Sequence, residues 1–200
     1  MKKLSIQDFK QKQLDQITLE IEACALCKRK MIGKIVPGEG HPDAEIIFIG
    51  EAPGKNEAES GRPFIGRAGK ILRQGIASLG VSDQDVFITS PVKRLPKHVT
   101  PTPIEIAHGK IHLIKQFNII DPKIVVLLGR VGALAMLGQT FQMTRDHGKV
   151  IKGDDGRTYF LMLHPAAPLH SPKLRAELEK DFKKLKSLLK KNGKTISKRK

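Results

Sequence analysis

The sequence predicts a three-layer α/β/α fold around a mostly parallel central sheet, on three observations. Short apolar runs alternate along the whole chain with segments of helical period, the order that strand–helix–strand units produce. The run KIVVLLG (123–129) is apolar on both faces, as in a strand covered by helices on each side. Finally, GEAPG, TSPVK and HPAAP each follow such a run directly, which suits loops gathered at the carboxyl ends of parallel strands.

Taken in order, residues 7–23 set Phe9, Leu14, Ile17, Leu19 and Ile21 at a loose helical spacing that ends at Cys24 and Cys27. EIIFIG (45–50) is a short buried strand. GRAGKILRQGIASLG (66–80) forms a helix stopped by Gly80, and DVFITS (85–90) is the next strand. KRLPKHVTPTP (93–103) is a proline-punctuated loop. Thr102 and Pro103 then start a helix through residue 120, a hydroxyl cap followed by a proline whose missing N–H costs nothing in the first turn. After the 123–129 strand come a short helix (130–138), a hairpin turned by KGDDGR, a strand TYFLMLH (158–164), and a basic helix from 172 to about 190.

The 200 residues, 40% of them hydrophobic, suffice for one core and not for two comfortable ones. A single domain is expected over 1–190, followed by a basic, disordered tail at 191–200. The net charge of +16 and pI near 10.0 point to a polyanionic partner, with nucleic acid first. Nine of the Lys and Arg residues fall within 183–200, where no acidic residue occurs. No apolar run approaches the ~20 residues that span a bilayer, and MKKLSIQDFKQKQ lacks a signal peptide's apolar segment. The expectation is a cytoplasmic monomer with no membrane partner. In that setting a C-x-x-C pair serves a metal or redox chemistry more often than a structural disulfide.

GEAPG is not a phosphate loop, since Gly-Lys-Ser/Thr is absent, and the G-x-G-x-x-G dinucleotide spacing is absent too. Taken together, GEAPG, GRPFIGRAG about ten residues later, TSPVK and HPAAPLHSP resemble the uracil-DNA glycosylase superfamily, most closely its family 4, from Cys24 to Pro172. The resemblance implies a monofunctional, base-flipping enzyme that hydrolyses the N-glycosidic bond of uracil in single- or double-stranded DNA and leaves an abasic site. Such an enzyme extrudes the nucleotide, because the bond is out of reach within the stack. Glycines of the first loop would remove side chains that block the base.

Residue by residue, the resemblance gives Phe64 as the stacking surface and Gly50, Glu51 and Ala52 as contacts to the base. Either Glu51 or Glu57 would orient the attacking water. His164 would donate to the uracil O2, where charge develops as the base leaves, as an oxyanion hole does. Leu169 matches the wedge that fills the vacated space. Lys93, Arg94, Lys173 and Arg175 flank these motifs and would neutralise phosphates.

Two positions depart from the family pattern. Ser90 stands where the family carries the asparagine of Thr-Asn-Val-Val-Lys; a hydroxyl is shorter than an amide and offers one rotating donor, so weaker discrimination at the base edge is expected. Hypoxanthine or xanthine as the excised base, or a catalytically weak DNA- or uracil-binding protein, are the rival readings. A module binding by charge alone would need neither Phe64 nor His164. The second departure concerns the family's four-cysteine iron–sulfur cluster: Cys24 and Cys27 match its first two ligands, but Arg94 and about Gly109 occupy the other two positions, so that cluster cannot form. His108 and His112 lie four apart on one helix face. With the two cysteines they make a tetrahedral Cys2His2 set for structural zinc. A histidine-ligated iron–sulfur cluster, or free thiols with no metal, are the alternatives.

Overall fold

Residues 5–191 are described in the computed structural model, and Ser5 opens its first helix, α1 (Ile6–Ala23), with a reciprocal cap: its hydroxyl accepts from the Asp8 N–H while the Asp8 carboxylate accepts from the Ser5 N–H. Leu14, Ile17 and Ile21 are buried, but Phe9 and Leu19, expected on the same face, are 59% and 57% exposed. Each lies five residues from Leu14, which on a helix is roughly 140° around the axis.

The chain continues through α2 (Ala25–Lys28), β1 (Met31–Ile32), β2 (Glu39–Gly40), β3 (Ile46–Ile49), α3 (Lys55–Ser60) and α4 (Arg67–Leu79), the last stopped by Gly80 at φ +90° as its sequence predicts. It then forms β4 (Phe87–Thr89), β5 (Leu95–Pro96) and α5 (Pro103–Ile120), which carries the expected Thr102 cap, answered by Glu105. Next come β6 (Ile124–Leu128), α6 (Gly129–Leu137), α7 (Met143–Asp146), β7 (Val150–Lys152), β8 (Thr158–Met162), α8 (Ala167–His170) and α9 (Leu174–Lys191). Lys191 ends α9; the rest of the tail, with its expected disorder, lies outside the described residues.

Four strands run parallel in the order β4-β3-β6-β8, with β2 antiparallel at one edge and β7 antiparallel at the other; β1 and β5 form a separate antiparallel pair. Alternate residues of each strand serve opposite faces. Ile46, Phe48, Val126 and Phe160 pack with Leu72 and Ile76 of α4 and with Leu178, Phe182 and Leu185 of α9. Ile47, Ile49, Val125, Leu127 and Leu161 pack with Leu113 and Phe117 of α5, with α6, and with Leu14 of α1. Helices on both faces are why the strands are apolar at every position. The α4–α9 contact is close: a Cβ on Gly75 would lie 2.0 Å from the Phe182 ring.

From β3 the chain crosses to β4 on one side, and from β4 it returns past β3 to β6 on the other. That reversal opens a crevice at the carboxyl ends of the strands, the usual place for a ligand in an open α/β sheet.

Candidate active site

The loops after β3, β4 and β8 converge on that crevice. The Gly50 N–H donates to the Thr89 carbonyl (2.9 Å), joining the ends of β3 and β4. Beyond this junction lies a cavity of about 360 Å³, walled by Glu51, Ala52, Pro53 and Gly54 on one side, by Phe64 and Ser90, and by His164 with Ala166 on the other. The structure thus brings Glu51, Ala52, Glu57, Phe64, Ser90 and His164 of the sequence-predicted residues to one cavity, with Gly50 at the junction behind it and Leu169, Lys93, Arg94, Lys173 and Arg175 outside its wall.

His164 lies two residues beyond β8. Its Nδ1 accepts from the Ala166 N–H (3.2 Å), so the proton of the neutral ring sits on Nε2. Burial pushes its pKa down to about 4, so the ring is neutral at pH 7. Its ring centroid is 5.9 Å from that of Phe64, with the planes at 37°. A Cβ on Gly129, which has φ +81°, would approach the His164 Cβ to 3.0 Å, so a small residue there lets α6 start against the histidine. Behind it, the Leu163 N–H donates to Asp181 of α9 (3.1 Å), whose other oxygen meets His147 Nδ1 (2.8 Å). The motifs gave no sign of this tie, because its partners are 18 and 34 residues apart in sequence.

Phe64 adopts a left-handed backbone, φ +51°. The glycines around it clear space for the loop's own side chains. A Cβ on Gly50 would sit 2.6 Å from Phe64 Cζ, and one on Gly54 would sit 2.7 Å from the Glu57 carboxylate.

The two candidate carboxylates differ. Glu57 Oε1 accepts from the N–H groups of Ile65 and Gly66, both at 2.8 Å. Glu51 lies in the pocket wall, where burial raises its pKa and Arg130 only partly offsets the rise. Ser90, 6% exposed, donates its hydroxyl to the Val92 carbonyl (2.8 Å). Its proton is engaged there, where the sequence led to the expectation of a rotating donor.

Lys93 does not sit among the phosphate contacts. It is 2% exposed, and its Nζ donates to Gln116 Oε1 (2.6 Å), Thr89 Oγ1 (2.7 Å) and the Pro37 carbonyl (3.1 Å), with its pKa pushed down to about 7 by burial. Arg94 donates to the Gly33 carbonyl and lines a second cavity beside Cys27. Lys173 and Arg175 are exposed at the start of α9, Arg175 near Glu179 (3.5 Å). Leu169 is half-buried in α8 and faces a groove between α4 and α9, separate from the base pocket.

On the other side of α5, the ligand atoms of Cys24, Cys27, His108 and His112 all lie within 4.8 Å of one another. His108 Nε2 is 3.3 Å from Cys24 Sγ and 3.4 Å from Cys27 Sγ. Both ring nitrogens of His112 are buried without a hydrogen-bond partner. Such orphans call for a partner, and a cation among two sulfurs and two imidazoles supplies one. Burial, then His108, lowers the His112 pKa and keeps the ring neutral as a ligand must be. The same four residues do not fit a four-cysteine cluster. Arg94 and Gly109 border a cavity of about 320 Å³ next to Cys27 and His108.

Comparison with known proteins agrees with this geometry. Residues 37–189 match the family described as the uracil DNA glycosylase superfamily. The chain is 44% identical over 185 residues to the type-4 uracil-DNA glycosylase of Sulfurisphaera tokodaii, covering 88% of this chain and 84% of that one. It is 39% identical over 192 residues to the type-4 enzyme of Archaeoglobus fulgidus (92% and 96%), and 35% identical over 191 residues to that of Thermotoga maritima (92% and 100%).

Proposed function

The chain belongs to the uracil DNA glycosylase superfamily, and we infer that it is a DNA-repair glycosylase that excises uracil from DNA by hydrolysing the N-glycosidic bond, leaving an abasic site. The observation that carries this reading is the pair of rings facing one cavity: Phe64, held in an unusual backbone conformation, and His164, neutral with its Nε2 proton free for a ligand.

In this mechanism DNA is the partner and the target nucleotide is turned out of the stack into the cavity. Uracil lies against Phe64, with its edge met by Ser90 and by the backbone of Gly50, Glu51 and Ala52. As the bond between N1 and C1′ lengthens, its electron pair passes to the ring and charge gathers on O2. The His164 Nε2–H hydrogen-bonds that oxygen, and a neutral donor already in place needs no reorganisation as the charge forms. Water adds to C1′ and gives its proton to Glu51, whose raised pKa suits a base working near neutrality. Leu169 would have to turn out of the α4–α9 groove to fill the gap in the stack, while Lys173 and Arg175 neutralise phosphates. Arg94 reaches the DNA only if the footprint extends to the second cavity. No helix among the described residues is long and apolar enough to cross a membrane.

We further propose that Cys24, Cys27, His108 and His112 hold one zinc ion. It would fix the segment after α1 to α5 and take no part in the reaction. The two orphaned His112 nitrogens favour a metal over free thiols, and two thiols favour zinc over a cluster.

The activity test is alkaline cleavage of labelled oligonucleotides carrying one uracil, hypoxanthine or xanthine. Uracil is expected to be excised, with His164→Ala reducing kcat by about 10²–10³-fold, the usual cost of one such donor. Excision of a purine in place of uracil would reassign the substrate, and tight DNA binding without excision would make this a recognition protein.

A further inference from the structure

We propose that Arg73 and Glu57 are positioning residues that together clamp the Phe64 loop into a preformed stacking surface. The inference rests on the reading of Phe64 as the platform for the base. Four consecutive residues, 63 to 66, are gripped from two sides. Arg73, on α4, donates through Nη2 to the Pro63 carbonyl and through Nε to the Phe64 carbonyl, both at 3.0 Å. Glu57, on α3, accepts through Oε1 from the Ile65 and Gly66 N–H groups, both at 2.8 Å. One cation takes the carbonyls and one anion takes the amides.

The clamp has something to hold. At φ +51° Phe64 occupies a region that bulky residues avoid, and a residue stays there only where its surroundings impose it. Two glycines complete the mould: a Cβ on Gly69 would lie 1.9 Å from the Phe64 carbonyl oxygen, and one on Gly50 would strike the ring. Arg73 is itself held by Glu39 of β2 (2.6 Å), which also pairs with Arg62 (2.9 Å). The ring's place is therefore set by α3, α4 and the sheet edge before any ligand arrives, which spares the base the entropy of ordering a loop. It also divides the two carboxylates: Glu57 is engaged with the loop, and Glu51 is left for the water.

The test uses the full chain and five variants: Phe64→Ala, Arg73→Met, Arg73→Lys, Glu57→Ala and Glu57→Gln. Calorimetric binding of free uracil is measured beside kcat and KM on a single-stranded uracil oligonucleotide, with far-UV spectra and melting curves to show folding. Phe64→Ala should weaken uracil binding about tenfold, as loss of one stacked base does. Arg73→Met and Glu57→Ala should do nearly the same, raising KM more than they lower kcat. Glu57→Gln keeps an acceptor oxygen at the same place and should recover most of what the alanine variant loses. Arg73→Lys should fall between parent and Met, and it carries the test with the Glu57 pair if the Met variant does not fold. If Glu57→Gln loses kcat as fully as Glu57→Ala while uracil still binds, Glu57 acts on the water and the clamp is refuted. A weakened Phe64→Ala beside unaffected Arg73→Met and Glu57→Ala refutes the clamp alone. Unchanged uracil binding in Phe64→Ala removes the platform reading beneath it.

Discussion

A histidine that accepts a backbone N–H through Nδ1 has only Nε2 left for its proton, and His164 is in that state. Its pKa of about 4 stands against an ordinary 6.5. Between those values the unfolded chain takes up a proton that the folded chain refuses, so stability falls as pH drops from 6.5 to about 4 and levels off below. His164→Gln should flatten the decline in melting temperature between pH 6.5 and 4; an identical decline would show that the histidine's burial does not contribute. Ser90 allows a separate check at the same scale. Its hydroxyl proton is committed to Val92, which leaves the oxygen as an acceptor only, where an amide would offer both donor and acceptor. Ser90→Asn should sharpen rejection of cytosine several-fold in paired kcat/KM measurements, and equal rejection would leave base reading to the backbone. That His164 and Phe64 would face one crevice was legible in the sequence, because one motif follows a strand directly and the other lies between two glycine-rich stretches after another strand. Lys93 was not: a lysine at a strand end reads as a surface charge until Gln116, 23 residues on, is seen to draw it inward.

Among the elements, α5 announced itself through Thr102-Pro103 and a long apolar period, and β3 and β6 through runs apolar on both faces. The two-residue strands β1, β2 and β5 were invisible, since an alternation of period two cannot be read from a single pair. Helix α1 was foreseen, but its buried face was read too broadly. That helix rests on α5 through Leu14, Ile17 and Ile21, and the Lys10–Asp43 and Glu20–Lys115 pairs add little, being partly or largely exposed. The proposed zinc ion would add to Ile17 and Ile21 in fastening its C-terminal end. Elemental analysis should find one zinc and no iron per chain, and stripping it with a chelator should lower the melting temperature and open residues 24–30 to protease. Iron with sulfide would mean a histidine-ligated cluster, and no metal at all would leave the thiols free. Because burial pushes the Cys27 thiol up to about 12, the ion must displace that proton, and its affinity should weaken as pH falls.

Over the whole molecule, the charge is unevenly held. Nine of the 36 Lys and Arg residues lie in the last 18 positions, while several of the rest are consumed in pairs such as Arg73–Glu39 and Arg157–Asp121. Phosphate neutralisation releases counterions, so affinity for DNA should fall steeply with salt. Removing residues 192–200 should reduce the slope of log Kd against log salt without abolishing uracil excision, and an unchanged slope would locate the electrostatic contact elsewhere. The alternation of strands and helices was enough to foresee the layers and the crevice, because both follow from short-range pattern. The ties that hold the crevice's side chains were not foreseeable, because they join distant segments. One of them bears on how the protein is made. Asp181 holds the N–H of Leu163, next to His164, from the last helix of the chain. A polypeptide interrupted between His170 and Asp181 would contain every residue of the pocket wall and still lack the tie behind its histidine, so the pocket is anchored only once α9 has been made.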